Sequence, residues 1–245
     1  MTMKLRVAFR KHGPVKFIGH LDTQRFFQRS LKRAGWDVAY SQGFSPHPIL
    51  SFAAPLGVGI QSDSEIFDIE MVSIGSRSEM MASLNDAMCD GMMITDIRIM
   101  DDNSGNAMAS VAGAAYTVDL HDPAGNNDRK DQAGDASDPV THLDGAISKL
   151  MSSSEILINK KTKKSESVVD IKPGIFELKT VSNGIYMLVD ASSGGNIRPE
   201  QVVGALYKVI GTEAPDIRLH VTRNEIYGRS SDGNLTPLIE FGNRF

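Results

Sequence analysis

Apolar and polar positions alternate with two different periods in the first hundred residues. Between residues 4 and 10 every second residue is apolar, which predicts a half-buried strand. Between 20 and 34 the apolar residues Phe27 and Leu31 fall on one helical stripe, and Gly35 follows as a terminator. The remaining predicted elements of this half are a helix at 76–88 and strands at 49–53, 65–71 and 92–100. The order β-α-β-β-α-β is typical of a ferredoxin-like unit.

When its extra hairpin strands are left out, the second half repeats this order of elements without repeating the sequence. Its predicted elements are strands at 111–120, 155–160, 167–171, 176–181, 186–190 and 216–227, and helices at 140–151 and 199–210. We therefore predict an α+β fold of two tandem ferredoxin-like (βαββαβ) units, each an antiparallel sheet with helices on one face. The predicted domains span 1–103 and 110–228, with a mobile loop at 121–138 and a tail at 229–245.

Composition excludes several classes of protein. Of the 245 residues, 41% are apolar and 23% charged, as in an ordinary globular chain. The single cysteine, Cys89, excludes an intramolecular disulfide framework and an iron–sulfur cluster held by this chain alone. Cys89 falls near the end of a predicted helix, where we expect a buried small apolar residue. No run approaches 18 apolar residues, and the N-terminus lacks the core of a signal peptide, so we expect a cytoplasmic protein without a membrane span.

Charge is distributed unevenly along the chain. Residues 1–50 contain nine Lys and Arg against two Asp, a net charge of +7, so the remaining residues carry −11 within the total of −4. Four of these basic residues recur on one face of the first helix, at Arg25, Arg29, Lys32 and Arg33. A basic lobe suggests an anionic partner, although a solvated basic face explains the charge equally well.

The segment 40–48, Tyr-Ser-Gln-Gly-Phe-Ser-Pro-His-Pro, combines residue types that a stable fold does not require. The prolines beside His47 restrict the backbone and therefore the direction of the imidazole. Gly43 allows a ligand to approach the backbone closely next to Phe44. Loops of this kind on a rigid sheet often form binding sites.

Several chemistries fit the polar residues of 10–68. His20, Asp22 and His47 are candidate catalytic groups, the histidines acting as acid and base near their ordinary pKa. The candidate substrate-binding residues are Arg25, Arg29, Arg33, Ser41, Gln42, Gly43, Phe44, Ser45, Pro46 and Glu65, with arginines clamping phosphates and Phe44 stacking on a planar group. The histidines and Phe44 could equally be structural supports. Because no paired-histidine metal spacing is present, we predict neither a metal site nor a cofactor.

At these residues the chain resembles the radical-SAM-linked family of uncharacterised bacterial proteins. The matching pieces are FIGHLDTQR at 17–25, YSQGFSPHP at 40–48, SFAAPLGVG at 51–59 and SEIFDIE at 64–70, and more loosely VVDIKPGIFEL at 168–178, NIRPEQVVGAL at 196–206 and RNEIYG at 223–228. Gly19 departs from the family's usual serine, which places the helix-capping role of that position in doubt. The resemblance implies a separately encoded radical SAM partner and brings no established activity.

These observations lead to one functional expectation and two alternatives. We expect an accessory protein that recognises tRNA, rRNA or another anionic substrate through its basic N-terminal lobe. The first alternative is a metal-independent ribonuclease or other hydrolase that uses His20 and His47. The second is a structural adaptor for the radical SAM protein.

Overall fold

The computed structural model describes residues 2–120, 143–161, 166–218 and 220–245. Its strands are β1 (Met3–Lys11), β2 (Leu50–Phe52), β3 (Gln61–Met71), β4 (Met92–Ile99), β5 (Gly113–Asp119), β6 (Leu157–Lys161), β7 (Glu166–Asp170), β8 (Ile175–Val181), β9 (Gly184–Asp190), β10 (Val221–Arg229) and β11 (Leu235–Pro237). Its helices are α1 (His20–Arg33), α2 (Arg77–Asp86), α3 (Ala107–Ser110), α4 (Leu143–Ser152) and α5 (Pro199–Ile210), with 3-10 turns at Gly13–Phe17, Lys172–Gly174 and Leu238–Phe241. The predicted α+β class with mainly antiparallel pairing is confirmed.

The chain forms two compact units whose boundaries differ from the predicted domains. Unit 1 comprises residues 1–114 together with 223–245, and unit 2 comprises 115–222. Residues 229–245, predicted to be a tail, instead form β11 and the last 3-10 turn of unit 1. The reason is that Leu238 is completely buried, which makes this segment part of the core rather than an extension of it. The predicted loop at 121–138 lies outside the described residues.

In unit 1 the sheet runs in the order β4-β1-β3-β10, with β2 also paired to β3 and β11 to β10. Strands β1 and β3 pair antiparallel, Val7 opposite Phe67. The face of the sheet that carries Val7 packs against α1 and α2 in one core, to which α1 contributes Phe27 and Leu31. Phe9, Phe27, Phe52 and Phe67 meet there as an aromatic cluster with ring centroids 4.6–6.0 Å apart.

The opposite face of this sheet carries a buried ion pair. Arg6 binds both oxygens of Asp68, at 2.8 and 3.0 Å, and also donates to the Leu238 carbonyl at 3.1 Å. The Asp68 carboxylate accepts a third hydrogen bond from the Ala107 amide. These contacts satisfy a buried charge pair and fix the C-terminal segment to β1.

Unit 2 contains β5, β9 and β8 in that order, with β6 and β7 as a separate antiparallel hairpin. The predicted hairpin around Asn183-Gly184 is present between β8 and β9. A side chain at Gly184 would lie 2.1 Å from the Val118 carbonyl oxygen, which explains why glycine occupies the turn. The apolar faces of α4 and α5 are buried, as the period of their apolar residues predicts. None of the described helices is both long and apolar enough to cross a membrane.

Candidate functional site

The first turn of α1 begins without a side-chain cap. His20 is its first residue and Gly19 is the N-cap, which offers no side chain to the free amides of the helix. Asp22 lies in the first turn, where a carboxylate favours the helix dipole, but its oxygen pairs with Arg25 at 3.4 Å and both side chains are about two-thirds exposed. Thr23 is buried and donates to the Gly19 carbonyl. Asp22 is therefore a solvent-facing residue of the helix.

The three predicted arginines of α1 are all exposed, but they differ in the hydrogen bonds that they make. Arg25 and Arg29 are exposed, and Arg29 Nε donates to the Arg25 carbonyl at 3.3 Å. Arg33 is exposed as well, but its guanidinium donates to the Ala87 carbonyl at 2.7 Å and to Ser30 Oγ at 2.9 Å and so connects α1 to the end of α2. The exposed Lys32 completes the basic surface of α1, which we define as Arg25, Arg29 and Lys32.

The loop 41–47 is closed by hydrogen bonds between its two ends. Ser41 Oγ accepts from the His47 amide at 3.2 Å and lies 3.0 Å from His47 Nδ1, and the Ser41 amide donates to the His47 carbonyl. His47 Nδ1 also lies 3.2 Å from the Ser45 carbonyl. The His47 imidazole thus helps to fix its own loop, the structural role that the sequence left open.

The tip of this loop presents an aromatic ring to solvent. Phe44 is completely exposed, and Gln42, Ser45 and Pro46 are exposed around it. Gly43 has φ +115°, a conformation that side-chain-bearing residues rarely adopt. A large apolar side chain with no burial at all, held on a closed loop, has the exposure that stacking on a ligand requires.

A small cavity opens in unit 1 between β1, β3, α1 and the segment that follows β2. Its lining consists of Phe9, Lys11, His20, Thr23, Phe52, Ala54, Leu56 and Glu65. The volume is about 10 Å³, room for a single water molecule. The His20 ring packs edge-on against Phe52, with centroids 5.2 Å apart. Two sequence-predicted residues, His20 and Glu65, therefore meet at this cavity.

Lys11 is the buried cation of the cavity. Its side chain lies next to an irregularity in the β1–β3 pairing between Phe9 and Lys11, a type of feature that often redirects a side chain near a site. The amine donates to the Ile18 carbonyl at 2.8 Å. Burial lowers the pKa of the Lys11 amine, an effect that Glu65 opposes and Arg223 reinforces.

Glu65, predicted to bind substrate, is paired with a residue that the prediction missed. Arg223 Nε donates to one Glu65 oxygen at 2.7 Å, and a terminal Arg223 nitrogen lies 2.5 Å from the other, with both side chains almost fully buried. The same guanidinium donates to the Ala54 carbonyl. The sequence signal was the piece RNEIYG at 223–228, whose first residue is this arginine.

The structure does not join the two predicted catalytic histidines. Within the described residues, no hydrogen bond or ring contact links His20 to His47. The same part of the chain contains no group of three His, Cys, Asp or Glu side chains that could hold a metal ion. Cys89 is exposed rather than buried, because α2 ends at Asp86 and the cysteine lies in the following turn.

Unit 2 contains a larger cavity of about 340 Å³, a size usual for small-molecule sites. Its polar lining includes Lys160, Asp170, Asp190 and Gln201. Backbone amides of Ile156 and Lys172 donate to Asp170 and hold its pKa below the usual value. The sequence did not predict this cavity, because nothing in the local pattern shows that the distant 190–201 segment lies beside residues 170–173.

The fold and the site define an α+β protein with a basic helix, an exposed aromatic loop and a buried polar cavity. The family model described as "Uncharacterized protein conserved in bacteria (DUF2344)" matches residues 4–199, and the chain belongs to this family. A comparison with curated proteins found no match. Among solved structures, an unknown protein from Galdieria sulphuraria is similar at 12% identity, over 86% of this chain and 93% of that one, with a TM-score of 0.28.

Proposed function

We propose that unit 1 binds single-stranded RNA, and that the chain acts in the cytoplasm as an accessory protein that presents this RNA to a radical SAM protein. The observation that carries the proposal is the complete exposure of Phe44 on a loop closed by Ser41 and His47. A base stacked on an aromatic side chain contributes about 1–3 kcal/mol and requires no particular sequence.

The basic surface of α1 supplies the complementary contacts. Arg25 and Arg29 are exposed one helical turn apart, so their guanidinium groups can reach neighbouring phosphates. The exposed pair between Arg25 and Asp22 is long, at 3.4 Å, and an ion pair of this kind contributes little. It therefore presents only a small obstacle to phosphate binding.

Fluorescence anisotropy with a labelled single-stranded RNA tests the proposal. The wild-type affinity should fall with salt, and the double variant R25Q/R29Q should reduce the slope of log K against log salt by about 1.4, because each lost phosphate contact removes about 0.7. Phe44→Ala should weaken binding by about 1–3 kcal/mol and leave the slope unchanged.

Matched controls lie in unit 2. K149Q/K208Q removes two exposed charges from α4 and α5 and should leave RNA binding unchanged. If wild-type binding is absent or independent of salt, the proposal is wrong. Cleavage of the RNA in the presence of chelator, lost in His47→Ala, would instead establish the ribonuclease alternative with His20 and His47.

The radical SAM partner is supported by the sequence resemblance and by the cysteine count, since one cysteine cannot supply the ligands of an iron–sulfur cluster. Co-expression with a radical SAM protein followed by size-exclusion chromatography should show a stable complex. A complex that forms while the wild-type chain fails to bind RNA would favour the adaptor alternative. The tandem ferredoxin-like assignment is likewise a proposal, supported in unit 1 by the order β4-β1-β3 and by two helices on one face.

A further inference from the structure

The buried polar group of unit 1 carries more positive than negative charge. Lys11 and Arg223 are cations, Glu65 is a carboxylate that binds Arg223 and lines the same cavity as Lys11, and all three are almost fully buried. Arg223 occupies both oxygens of Glu65. Within the described residues no carboxylate lies within 4.0 Å of the Lys11 amine, and its one hydrogen bond goes to a neutral carbonyl.

Glu225, the nearest further carboxyl along β10, makes no ion pair with the Lys11 amine among the described residues. Its oxygen accepts from Ser64 Oγ at 2.6 Å and from the Ile226 amide at 2.9 Å. Burial raises the pKa of Glu225, an effect that these two hydrogen bonds oppose. A buried ammonium without a carboxylate in direct contact is costly, so the arrangement needs an explanation beyond stability.

We propose that the cavity beside Lys11 is an anion site that takes one oxygen of a phosphate group. Room for a single water molecule is also room for one phosphate oxygen, placed against the Lys11 amine, while the rest of the ligand lies at the mouth beside His20. One negative charge there balances the surplus of the Lys11, Glu65 and Arg223 group. This inference goes beyond RNA binding by the α1 surface, because it concerns different side chains.

Thermal unfolding of the full chain tests the site, with the buried Trp36 as the fluorescent reporter of unit 1. Sodium phosphate and uridine 5′-monophosphate are each titrated against sodium chloride of equal ionic strength. We expect a saturable rise in the unfolding temperature of the wild type. In Lys11→Met the dissociation constant should rise about 10- to 100-fold, the loss of one charged hydrogen bond.

One control variant, a second Lys11 variant and a comparison of the two ligands distinguish the causes of a change in unfolding temperature. Lys149→Met removes an exposed charge from α4, outside the basic surface of α1, and should respond to phosphate like the wild type. Lys11→Gln removes the charge but retains a hydrogen-bond donor, on a side chain one atom shorter, so it serves if the methionine variant does not fold. Tighter binding of the nucleotide than of inorganic phosphate identifies a nucleotide phosphate as the ligand, and equal binding identifies free phosphate.

The proposal is overturned if neither phosphate compound stabilises the wild type beyond chloride, or if both Lys11 variants respond as strongly as the wild type. Because R25Q/R29Q lies outside the cavity, its effect on RNA binding is measured independently. The anion site and the RNA surface can therefore fail separately.

Discussion

Replacing Glu65 by glutamine should lower the free energy of unfolding of unit 1, because it leaves two buried cations without their carboxylate. Glutamine has nearly the same shape, so the substitution removes the negative charge without creating a cavity. Arg223, now held at 2.7 and 2.5 Å by the carboxylate, would then face a neutral amide, and Lys11 would lose the nearest opposing charge. Breaking a buried pair from one side costs about 3–5 kcal/mol, a large part of the 5–15 kcal/mol that stabilises an ordinary domain.

The assay is urea denaturation followed by Trp36 fluorescence, since this single, buried tryptophan lies in unit 1. Glu70→Gln in the same strand is the control and should change stability by no more than about 0.5 kcal/mol, because in the described part of the chain the Glu70 side chain accepts one hydrogen bond, from Thr2 at an exposed position. Adding Lys11→Met to Glu65→Gln should recover about 1 kcal/mol or more, since one buried cation disappears. A loss below about 1 kcal/mol for Glu65→Gln, or no recovery in the double variant, would refute the account of coupled buried charges.

Two further predictions concern the stability of unit 1. Gly91→Ala should destabilise unit 1 by about 2 kcal/mol or more in the same urea assay. Gly91 has φ +87°, and a methyl group there would lie 2.3 Å from the His12 carbonyl oxygen. The control Gly204→Ala, whose methyl group would meet nothing within 4 Å inside α5, should be neutral or stabilising. Burial alone would raise the pKa of Asp96, but hydrogen bonds from Arg77 and Arg98 lower it. The Asp96 carboxylate therefore adds to the free energy of unfolding above pH ~4, and this contribution is lost as the pH falls through the lowered folded-state pKa. Asp96→Asn should therefore cost about 1–3 kcal/mol at pH 7, and a cost that did not shrink in denaturation curves at low pH would contradict this assignment.

Local periodicity predicted the elements well and their ends less well. The helix predicted at 199–210 is confirmed as α5, because its apolar stripe and its proline at the start act within one turn. Strand β3 begins at Gln61, four residues before the predicted start at 65. The prediction missed these residues because Ser62 and Ser64 are polar, and their burial depends on hydrogen bonds to β10, more than 150 residues away. No local pattern contains that partner, which is also why residues 229–245 were predicted to be a tail.

In the candidate site, too, some features follow from the local sequence and others depend on the folded chain. The exposure of Arg25, Arg29 and Phe44 agrees with their polar or loop setting in the sequence. Lys11 and Arg33 belong to the same basic segment, yet one is buried and the other is bound to the Ala87 carbonyl. Charge in a sequence identifies a basic segment, and only the folded chain determines which charges remain available to a partner.

The two-part composition of unit 1 has a consequence for its synthesis. Residues 1–114 lack β10 and the Arg223 partner of Glu65 until the 115–222 segment has left the ribosome. At about 5–20 residues per second this interval lasts roughly 5–20 s. During that time the edge of β3 that later pairs with β10 is open, and an open strand edge can pair with another chain. Unit 2, which is continuous in the chain, can fold before unit 1 is complete.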